Sequence, residues 1–264
     1  MELKPQSSPV NGRLWGARAR DWANIQEGTV KAVYEAVLKR TRVGPDTRYL
    51  DVGCGAGGAV RLAAALGAHV SGIDAADTLL AIARERTPEG DFHIGDLEAL
   101  PFNDATFDVV TGFNSFQYAA NPAVALGEAR RVTKTEGVIV VMTWGVPEGM
   151  QAAALVAALR PLLPTPPPGA PGPFALSDEA TLRAFATTAG LTPIEIFDVD
   201  SPWSYPDEAT AVRGLNSSGV SARAMDNSSE EAVSEAHRQA LAPFRRADGG
   251  YHIGASFRCL LARP

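Results

Sequence analysis

The residues of this chain that could bind a charged ligand lie around one glycine-rich stretch, YLDVGCGAGG, at positions 49–58. Gly53, Gly55 and Gly58 have the spacing G-x-G-x-x-G, and Asp74 follows at the distance from which an acid accepts hydrogen bonds from a ribose. A strand that delivers glycines to the start of a helix lets backbone N–H groups face a ligand. The pattern predicts a nucleotide-type ligand, and a tight turn without a ligand is the alternative.

Two further acids bear on the choice of nucleotide. Asp51 stands directly before the glycines, where the pyrophosphate of a dinucleotide would lie against the helix N-terminus. Like charges so close in a shielded site repel by on the order of several kcal/mol. Asp96, in HIGDLEALPF, follows the third expected strand and is expected at the same sheet edge, in reach of an adenine amino group. The three acids favour adenosine with a zwitterionic, positively charged tail.

The elements that must position these acids follow from the apolar pattern of residues 48–143. Short apolar runs alternate there with segments whose apolar residues recur every three or four positions. The pattern predicts strands at 49–52, 69–73, 92–94, 107–111 and 138–143, and helices at 59–66, 78–86 and 123–132. Such alternation predicts an α/β, Rossmann-like, doubly wound, mostly parallel sheet.

The flanking segments predict helices and a cover for the site. Residues 13–40 and 148–159 are expected to be helical, and PLLPTPPPGAPGP at 161–173 is expected to form a loop. Ser177 is expected to cap a helix that Gly190 ends, and 194–199 and 256–261 predict the last two strands. The expected division is an N-terminal helical lid at 1–45, a core at 46–200 and 251–264, and a helical cap at 201–250 inserted between the last two strands.

Three motifs in order resemble those of the class I S-adenosylmethionine-dependent methyltransferases, in the branch that includes ubiquinone and menaquinone methyltransferases. They are DVGCGAGG at 51–58, GIDAAD at 72–77, and GDLEALPF at 95–102 followed by FDVV at 107–110. The resemblance covers about residues 46–145. It implies a seven-stranded sheet with a reversed last strand, which agrees with the expected C-terminal hairpin.

The resemblance also implies roles at the donor site. Gly53 and Gly55 would let the backbone approach the methionine part, Asp74 would bind the ribose hydroxyls, Asp96 would bind the adenine, and Leu97 would offer its amide to the ring. The full set expected to bind S-adenosylmethionine is Asp51, Gly53, Cys54, Gly55, Asp74, Ala75, Asp96, Leu97, Phe113 and Trp22.

The methyl acceptor is expected beyond the ends of the fourth and fifth strands, at GFNSFQYAAN (112–121) and TWG (143–145). The candidate acceptor-binding residues are Trp15, Asn114, Gln117, Tyr118, Trp144 and Trp203. The tryptophans lie outside the central strand runs, so we expect a flat, aromatic acceptor, with anchoring of flanking helices as the alternative role. Tyr118 and His252 are the candidates for a base or for orienting the acceptor.

Composition argues against several other partners. The chain has 24 basic and 30 acidic residues, a net charge of −6, and no basic run that would track nucleic acid. Its apolar runs are far shorter than the roughly 20 residues of a membrane span, and Cys54 and Cys259 have no ligand spacing for a metal. We therefore expect a cytoplasmic protein, monomeric or homodimeric, with a small-molecule partner.

The leading hypothesis is S-adenosylmethionine-dependent methylation of a small, aromatic or heteroaromatic metabolite in natural-product tailoring. The sequence leaves open whether carbon, nitrogen or oxygen receives the methyl group. An NAD-dependent oxidoreductase and a non-catalytic S-adenosylmethionine-binding sensor or partner protein remain alternatives.

Overall fold

The structure, a computed structural model, describes residues 7–167 and 172–264. Within these ranges the main sheet contains β1 (Arg48–Val52), β2 (His69–Asp74), β3 (Asp91–Ile94), β4 (Phe107–Phe113), β5 (Thr133–Trp144), β6 (Thr192–Asp200) and β9 (Ser256–Arg263), and β7 (Trp203–Tyr205) pairs with β8 (Tyr251–Ile253) in a separate sheet. The main sheet has the order β3-β2-β1-β4-β5-β9-β6. Its strands run parallel except β9, which is antiparallel to β5 and β6. The predicted fold class is confirmed.

Helices cover both faces of this sheet. They are α1 (Ser8–Gly16), α2 (Ala19–Asp21), α3 (Lys31–Arg40), α4 (Gly58–Ala65), α5 (Asp77–Arg86), α6 (Pro122–Val132), α7 (Ala152–Ala158), α8 (Glu179–Thr188), α9 (Glu208–Asn216), α10 (Gly219–Asn227) and α11 (Glu230–Leu241). Side chains alternate along each strand. Leu50 and Val52 of β1 therefore join the core shared with α6 and α8, and Tyr49 joins the core shared with α3, α4 and α5. In the described part of the chain, no helix is both long and apolar enough to span a bilayer.

Several expected boundaries differ from the structure. The helical stretch expected at 13–40 consists of several elements: α1, α2, a π-helical turn at Trp22–Gln26, a 3-10 turn at Glu27–Val30, and α3. Asp178, not Ser177, caps α8, because the Asp178 carboxylate accepts the Thr181 N–H at 2.8 Å. Residues 1–6 of the expected lid and 168–171 of the expected loop lie outside the described residues.

Between β6 and β9 the chain forms α9, α10, α11 and the β7–β8 sheet. This insertion contacts the N-terminal helices. Arg213 forms an ion pair with Asp21, and Arg13 forms one with Asp226 at 2.6 Å. A Cβ atom on Gly219, the first residue of α10, would lie 2.6 Å from the indole nitrogen of Trp15, so glycine is needed where α10 meets α1.

The buried carboxylate of Glu27 fastens the N-terminal segment to the start of α4. One carboxylate oxygen accepts the N–H groups of Ala56 at 2.9 Å and Gly58 at 3.3 Å, and the other pairs with Arg86 at 2.6 Å. Arg86 also donates to the carbonyl of Ala23 at 2.6 Å. Burial raises the pKa of Glu27, and the Arg86 charge opposes that rise. Backbone groups that begin α4 are therefore satisfied from within the chain.

Replacement of Arg86 by alanine should destabilise the protein by about 2–4 kcal/mol, because it leaves Glu27 buried without its cation. Urea denaturation measures this change in the free energy of unfolding. The double variant Glu27→Ala/Arg86→Ala should lose less than the sum of the single variants, since the two side chains act as a pair.

Arg20→Ala is the matched control for this prediction. Arg20 pairs with Glu85 at 2.8 Å, but the two side chains are 64% and 55% exposed, so its loss should cost less than about 1 kcal/mol. Equal losses for Arg20→Ala and Arg86→Ala would contradict the fastening role of the buried pair.

Candidate active site

The glycine turn between β1 and α4 is shaped by a close approach of the β4 end. Gly53 has φ +79°, and a Cβ atom there would lie 2.4 Å from the Cβ of Ser115. Ser115 is itself held by a hydrogen bond from its hydroxyl to the Val52 carbonyl at 2.6 Å. A side chain at position 53 would be strained by both its backbone angle and this contact, so glycine is required there.

Two acids at the strand ends receive hydrogen bonds only from neutral donors in the described part of the chain. The Thr111 hydroxyl donates to Asp51 at 2.8 Å, and the N–H groups of Gly55 and Ala76 donate to Asp74 at 2.8 and 2.9 Å. Burial, together with the nearby acids Glu27 and Asp74, raises the pKa of Asp51 to about 7. Burial also raises the pKa of Asp74. A cationic ligand would stabilise both carboxylates.

A cavity lies beside the glycine turn and is lined by Gly53, Gly55 and Asp74; we call it the glycine-turn cavity. Asp96 lies on its wall, and its carboxylate accepts the N–H groups of Ser8 at 3.2 Å and Glu98 at 3.0 Å. The sequence-predicted residues that line this cavity are Trp15, Trp22, Gly53, Gly55, Asp74, Ala75, Asp96, Leu97, Phe113, Asn114 and Tyr118. The structure thus brings residues from four strand ends and from the N-terminal segment to one place.

A large cavity of about 1100 Å³ adjoins the glycine-turn cavity. Four residues line both cavities: Trp15, Trp22, Asn114 and Tyr118. The ring of Trp15 contacts those of Trp22 and Tyr118 edge to face, with centroid distances of 5.0 and 5.5 Å. The two cavities therefore share a boundary that is mostly aromatic.

The wall of the large cavity contains a second aromatic cluster. The ring of Trp144 stacks on that of Phe257, with centroids 5.1 Å apart. The Trp144 centroid also lies 5.8 Å from that of Phe174 and 5.9 Å from that of Trp203. Leucines of α7, α9 and the adjoining segments complete much of the wall: Leu155, Leu159, Leu163 and Leu215. The cavity is suited to a large, mostly apolar molecule.

Four sequence-predicted residues do not line either cavity. Asp51 is only 3% exposed. Cys54 is buried in the core, where its sulfur would lie 2.8 Å from a Cβ atom on Gly72, and Gln117 donates to the side chain of Asn114. His252 is exposed on β8 and hydrogen-bonds the Ser204 hydroxyl at 3.0 Å.

The structure bears on both candidates for a base. His252 lies on the small β7–β8 sheet and lines neither the glycine-turn cavity nor the large cavity. Tyr118 does line both cavities, but burial raises the pKa of its phenol to about 12. At neutral pH the Tyr118 hydroxyl stays protonated, and it suits orientation of a ligand better than proton removal.

Sequence reasoning missed several residues that build the site. Glu27 and Arg86 fix the glycine turn, and the Asn11 side chain donates to the Tyr118 carbonyl at 2.9 Å. His237, from α11, lines the large cavity and is 2% exposed. These residues are far apart in sequence and belong to no local motif. The scarcity of histidine, four in the chain, is the one sequence feature that would have drawn attention to His237.

Comparisons with known proteins agree with this site. A family profile described as a methyltransferase domain matches residues 50–141. The malonyl-[acyl-carrier protein] O-methyltransferase of Erwinia pyrifoliae is 31% identical over 186 residues, which cover 70% of this chain and 67% of that protein. The demethylmenaquinone methyltransferase of Renibacterium salmoninarum is 32% identical over 146 residues, which cover 55% of this chain and 57% of that protein.

Among solved structures, the [4+2]-cyclase SpnF superimposes with a TM-score of 0.62, at 21% identity, over 98% of this chain and 97% of that one. That likeness concerns the fold. The sheet order, glycine turn and acids define a Rossmann-like nucleotide-binding methyltransferase domain. The chain belongs to the class I S-adenosylmethionine-dependent methyltransferases, in the ubiquinone/menaquinone-like branch.

S-adenosylmethionine is the co-substrate of this enzyme class. The residues present fit it. Asp51 and Asp74 supply negative charge without a basic partner in the described ranges, and Gly53 and Gly55 line the glycine-turn cavity. A sulfonium and an ammonium group match the first feature, and the methionine part that carries them matches the second.

The raised pKa of Asp51 leads to a prediction about pH and stability. Its ordinary value is 3.8 and its folded value is about 7, so between these values the folded protein binds the proton more tightly than the unfolded chain. Stability from this group is present below pH 4 and is lost as the pH rises to 7. Asp51→Asn should therefore melt roughly 2–6 °C above the parent at pH 8, and the gap should shrink toward pH 4.

The same variant should bind S-adenosylmethionine at least about tenfold more weakly at pH 8, because a negative charge close to the cationic part of the donor is lost. Calorimetry measures the dissociation constant. For 5′-methylthioadenosine, which has no amino-acid part, the dissociation constants of the variant and the parent should agree within about twofold. Asp77→Asn is the control, since the Asp77 side chain is 74% exposed. Unchanged melting and unchanged binding would refute the role of Asp51.

Proposed function

We propose that this enzyme transfers the methyl group of S-adenosylmethionine to a small molecule with an aromatic or heteroaromatic ring, in the manner of natural-product tailoring. The observation that carries the proposal is the shared boundary of the two cavities. Trp15, Trp22, Asn114 and Tyr118 line both the glycine-turn cavity and the large cavity. Donor and acceptor placed on its two sides would meet there.

In this proposal the glycine-turn cavity holds the donor. Asp74 binds the ribose hydroxyls, Asp96 the adenine amino group, and the Leu97 amide the adenine ring. Gly53 and Gly55 allow the methionine part to approach the backbone, and the Asp51 charge attracts its ammonium group. Cys54 contributes only as a buried member of the turn, because its side chain packs in the core.

The oxidoreductase alternative is disfavoured by Glu27. Its carboxylate already accepts the N–H groups of Ala56 and Gly58 at the start of α4, where a dinucleotide would place its pyrophosphate. A phosphate there would have to displace a buried carboxylate that is paired with Arg86, and it would also approach Asp51. The electrostatic cost of that arrangement supports a donor without phosphate.

The large cavity suits a ring-containing acceptor. Trp144, Trp203 and Phe257 give it flat apolar walls, and aromatic rings pack favourably on such walls. The name of the Renibacterium relative specifies a quinone-type substrate, and that of the Erwinia relative specifies a carrier-bound malonyl group. The aromatic walls favour the first kind of substrate for this chain.

Bound S-adenosylmethionine supplies an electrophilic methyl group on a sulfonium, so the protein needs mainly to orient and dehydrate the acceptor. Residues 1–45 and 201–250 are proposed as the cover that excludes water. Arg13 and Asp226 join these two segments at 2.6 Å, and Trp15 contacts Gly219 between them. The protonated Tyr118 hydroxyl is placed to donate a hydrogen bond to either ligand.

The binding part of this proposal is tested with tryptophan variants. Trp144 lines only the large cavity, so Trp144→Ala should weaken binding of the aromatic probe 2-naphthol at least about fivefold, through lost ring contact. It should leave the dissociation constant for S-adenosylmethionine within about twofold. Trp22→Ala should weaken both, because Trp22 lines both cavities. Equilibrium dialysis and calorimetry measure the two affinities.

The exposed His252→Ala variant is the control and should bind both ligands as the parent does. Unchanged affinities in both tryptophan variants would contradict the proposed aromatic binding site. Transfer of label from methyl-labelled S-adenosylmethionine to a ring-containing acceptor separates an enzyme from a sensor. Calorimetric binding of NAD in preference to S-adenosylmethionine would restore the oxidoreductase alternative.

A further inference from the structure

Three hydroxyl groups in the wall of the large cavity donate hydrogen bonds within the chain, whereas the buried indole nitrogen of Trp203 has no partner among the described residues. The Ser221 hydroxyl donates to the Leu215 carbonyl at 2.7 Å, and the Thr29 hydroxyl donates to the Gln26 carbonyl at 2.6 Å. The Ser218 hydroxyl donates to the Ser221 oxygen at 2.9 Å. These hydroxyl protons are therefore committed to bonds within the protein and do not select a ligand.

His237 differs from these groups because one of its ring nitrogens is left open. Its Nδ1 lies 2.8 Å from the amide oxygen of Asn216. The amide nitrogen of Asn216 donates to the Ser234 hydroxyl oxygen at 2.8 Å, and its amide oxygen faces the ring. An amide oxygen can only accept, so the proton lies on Nδ1 and the lone pair on Nε2. Nε2 makes no hydrogen bond to a residue that the structure describes.

The charge of His237 decides what this nitrogen can do. The side chain is 2% exposed, and burial lowers the pKa of the imidazole to about 4. The ring is neutral at physiological pH, so Nε2 is an acceptor and not a donor. A base of that strength holds a proton poorly, which favours a hydrogen bond to a ligand over removal of its proton.

We propose that His237 Nε2 accepts a hydrogen bond from the methyl acceptor, and that it selects an apolar, ring-containing molecule that carries a hydroxyl or N–H group. Asn216 is the positioning residue, because its amide oxygen accepts the Nδ1 proton and leaves Nε2 as the acceptor. The inference rests on the proposed function, because it takes the large cavity as the acceptor site. It adds to that function a polar requirement on an otherwise apolar molecule.

Matched probes test this requirement with the full chain. 2-Naphthol and 2-methoxynaphthalene share a ring system, but only 2-naphthol can donate a hydrogen bond. The wild-type protein should bind 2-naphthol about three- to tenfold more tightly, as measured by equilibrium dialysis at pH 7.5. His237→Phe, which keeps a ring at this position, should bind 2-methoxynaphthalene at least as well and lose the preference for 2-naphthol.

His252→Ala is the histidine control, because His252 lies outside both cavities, and it should keep the preference. Equal affinity of the wild type for the two probes would overturn the proposal. A preference that persists in His237→Phe would also overturn it, since another group would then accept the hydrogen bond.

A second measurement uses the wild type alone, in case His237→Phe folds poorly. Nitrogen NMR of the labelled imidazole should show the neutral Nδ1–H form of His237. The Nε2 resonance should shift on addition of 2-naphthol and stay unchanged with 2-methoxynaphthalene. The opposite tautomer, or the same response to both probes, would contradict the proposal.

The outcomes distinguish a failure of the role proposed for His237 from a failure of the proposed function. Binding of both probes with equal affinity, together with weakened binding in Trp144→Ala, would refute the role of His237 and leave the aromatic acceptor cavity in place. Failure of both probes to bind would refute the cavity as an acceptor site, and the role of His237 with it.

Discussion

The buried carboxylate of Glu27 at the start of α4 is the interaction on which the two cavities depend. It binds the N–H groups of Ala56 and Gly58 and pairs with Arg86, which also holds the carbonyl of Ala23. The N-terminal segment is thereby pressed onto the glycine turn. Trp15 and Trp22 lie on that segment, so this anchor helps to hold the boundary between the cavities in place.

The same anchor sets the electrostatics of the glycine turn. In many nucleotide-binding proteins, a phosphate binds the first N–H groups of the corresponding helix. Here an internal carboxylate occupies them, and Asp51 and Asp74 add negative charge close by. Burial raises the pKa of all three acids, which means that the folded protein bears a cost for keeping them ionised. A cationic donor relieves that cost, so the instability of the ligand-free site and its affinity for such a donor have one origin.

Much of the fold could be predicted from local patterns. The apolar runs placed β1 to β5 in sequence, and the alternation with helices implied a mostly parallel sheet, because such strands need helical crossovers. The last strand β9 was expected and is two residues longer than predicted. Asp178 replaced Ser177 as the cap of α8, since both are good caps and the choice depends on which side chain points back at the helix. The helical stretch expected at 13–40 consists of shorter helices and helical turns, and the buried Glu27 lies in one of those turns.

By itself, the sequence determined the class of fold, the glycine turn and the acids at three strand ends, because these depend on short-range spacing. Only the tertiary structure decided which side chains line the large cavity. It placed His252 on an outer sheet and His237 on a cavity wall, buried Cys54 and Asp51, and joined Trp15 of the first helix to Gly219 of the insertion. The physical reason is that burial and long-range contacts, which fix pKa values and open hydrogen-bonding positions, arise only when distant segments pack together.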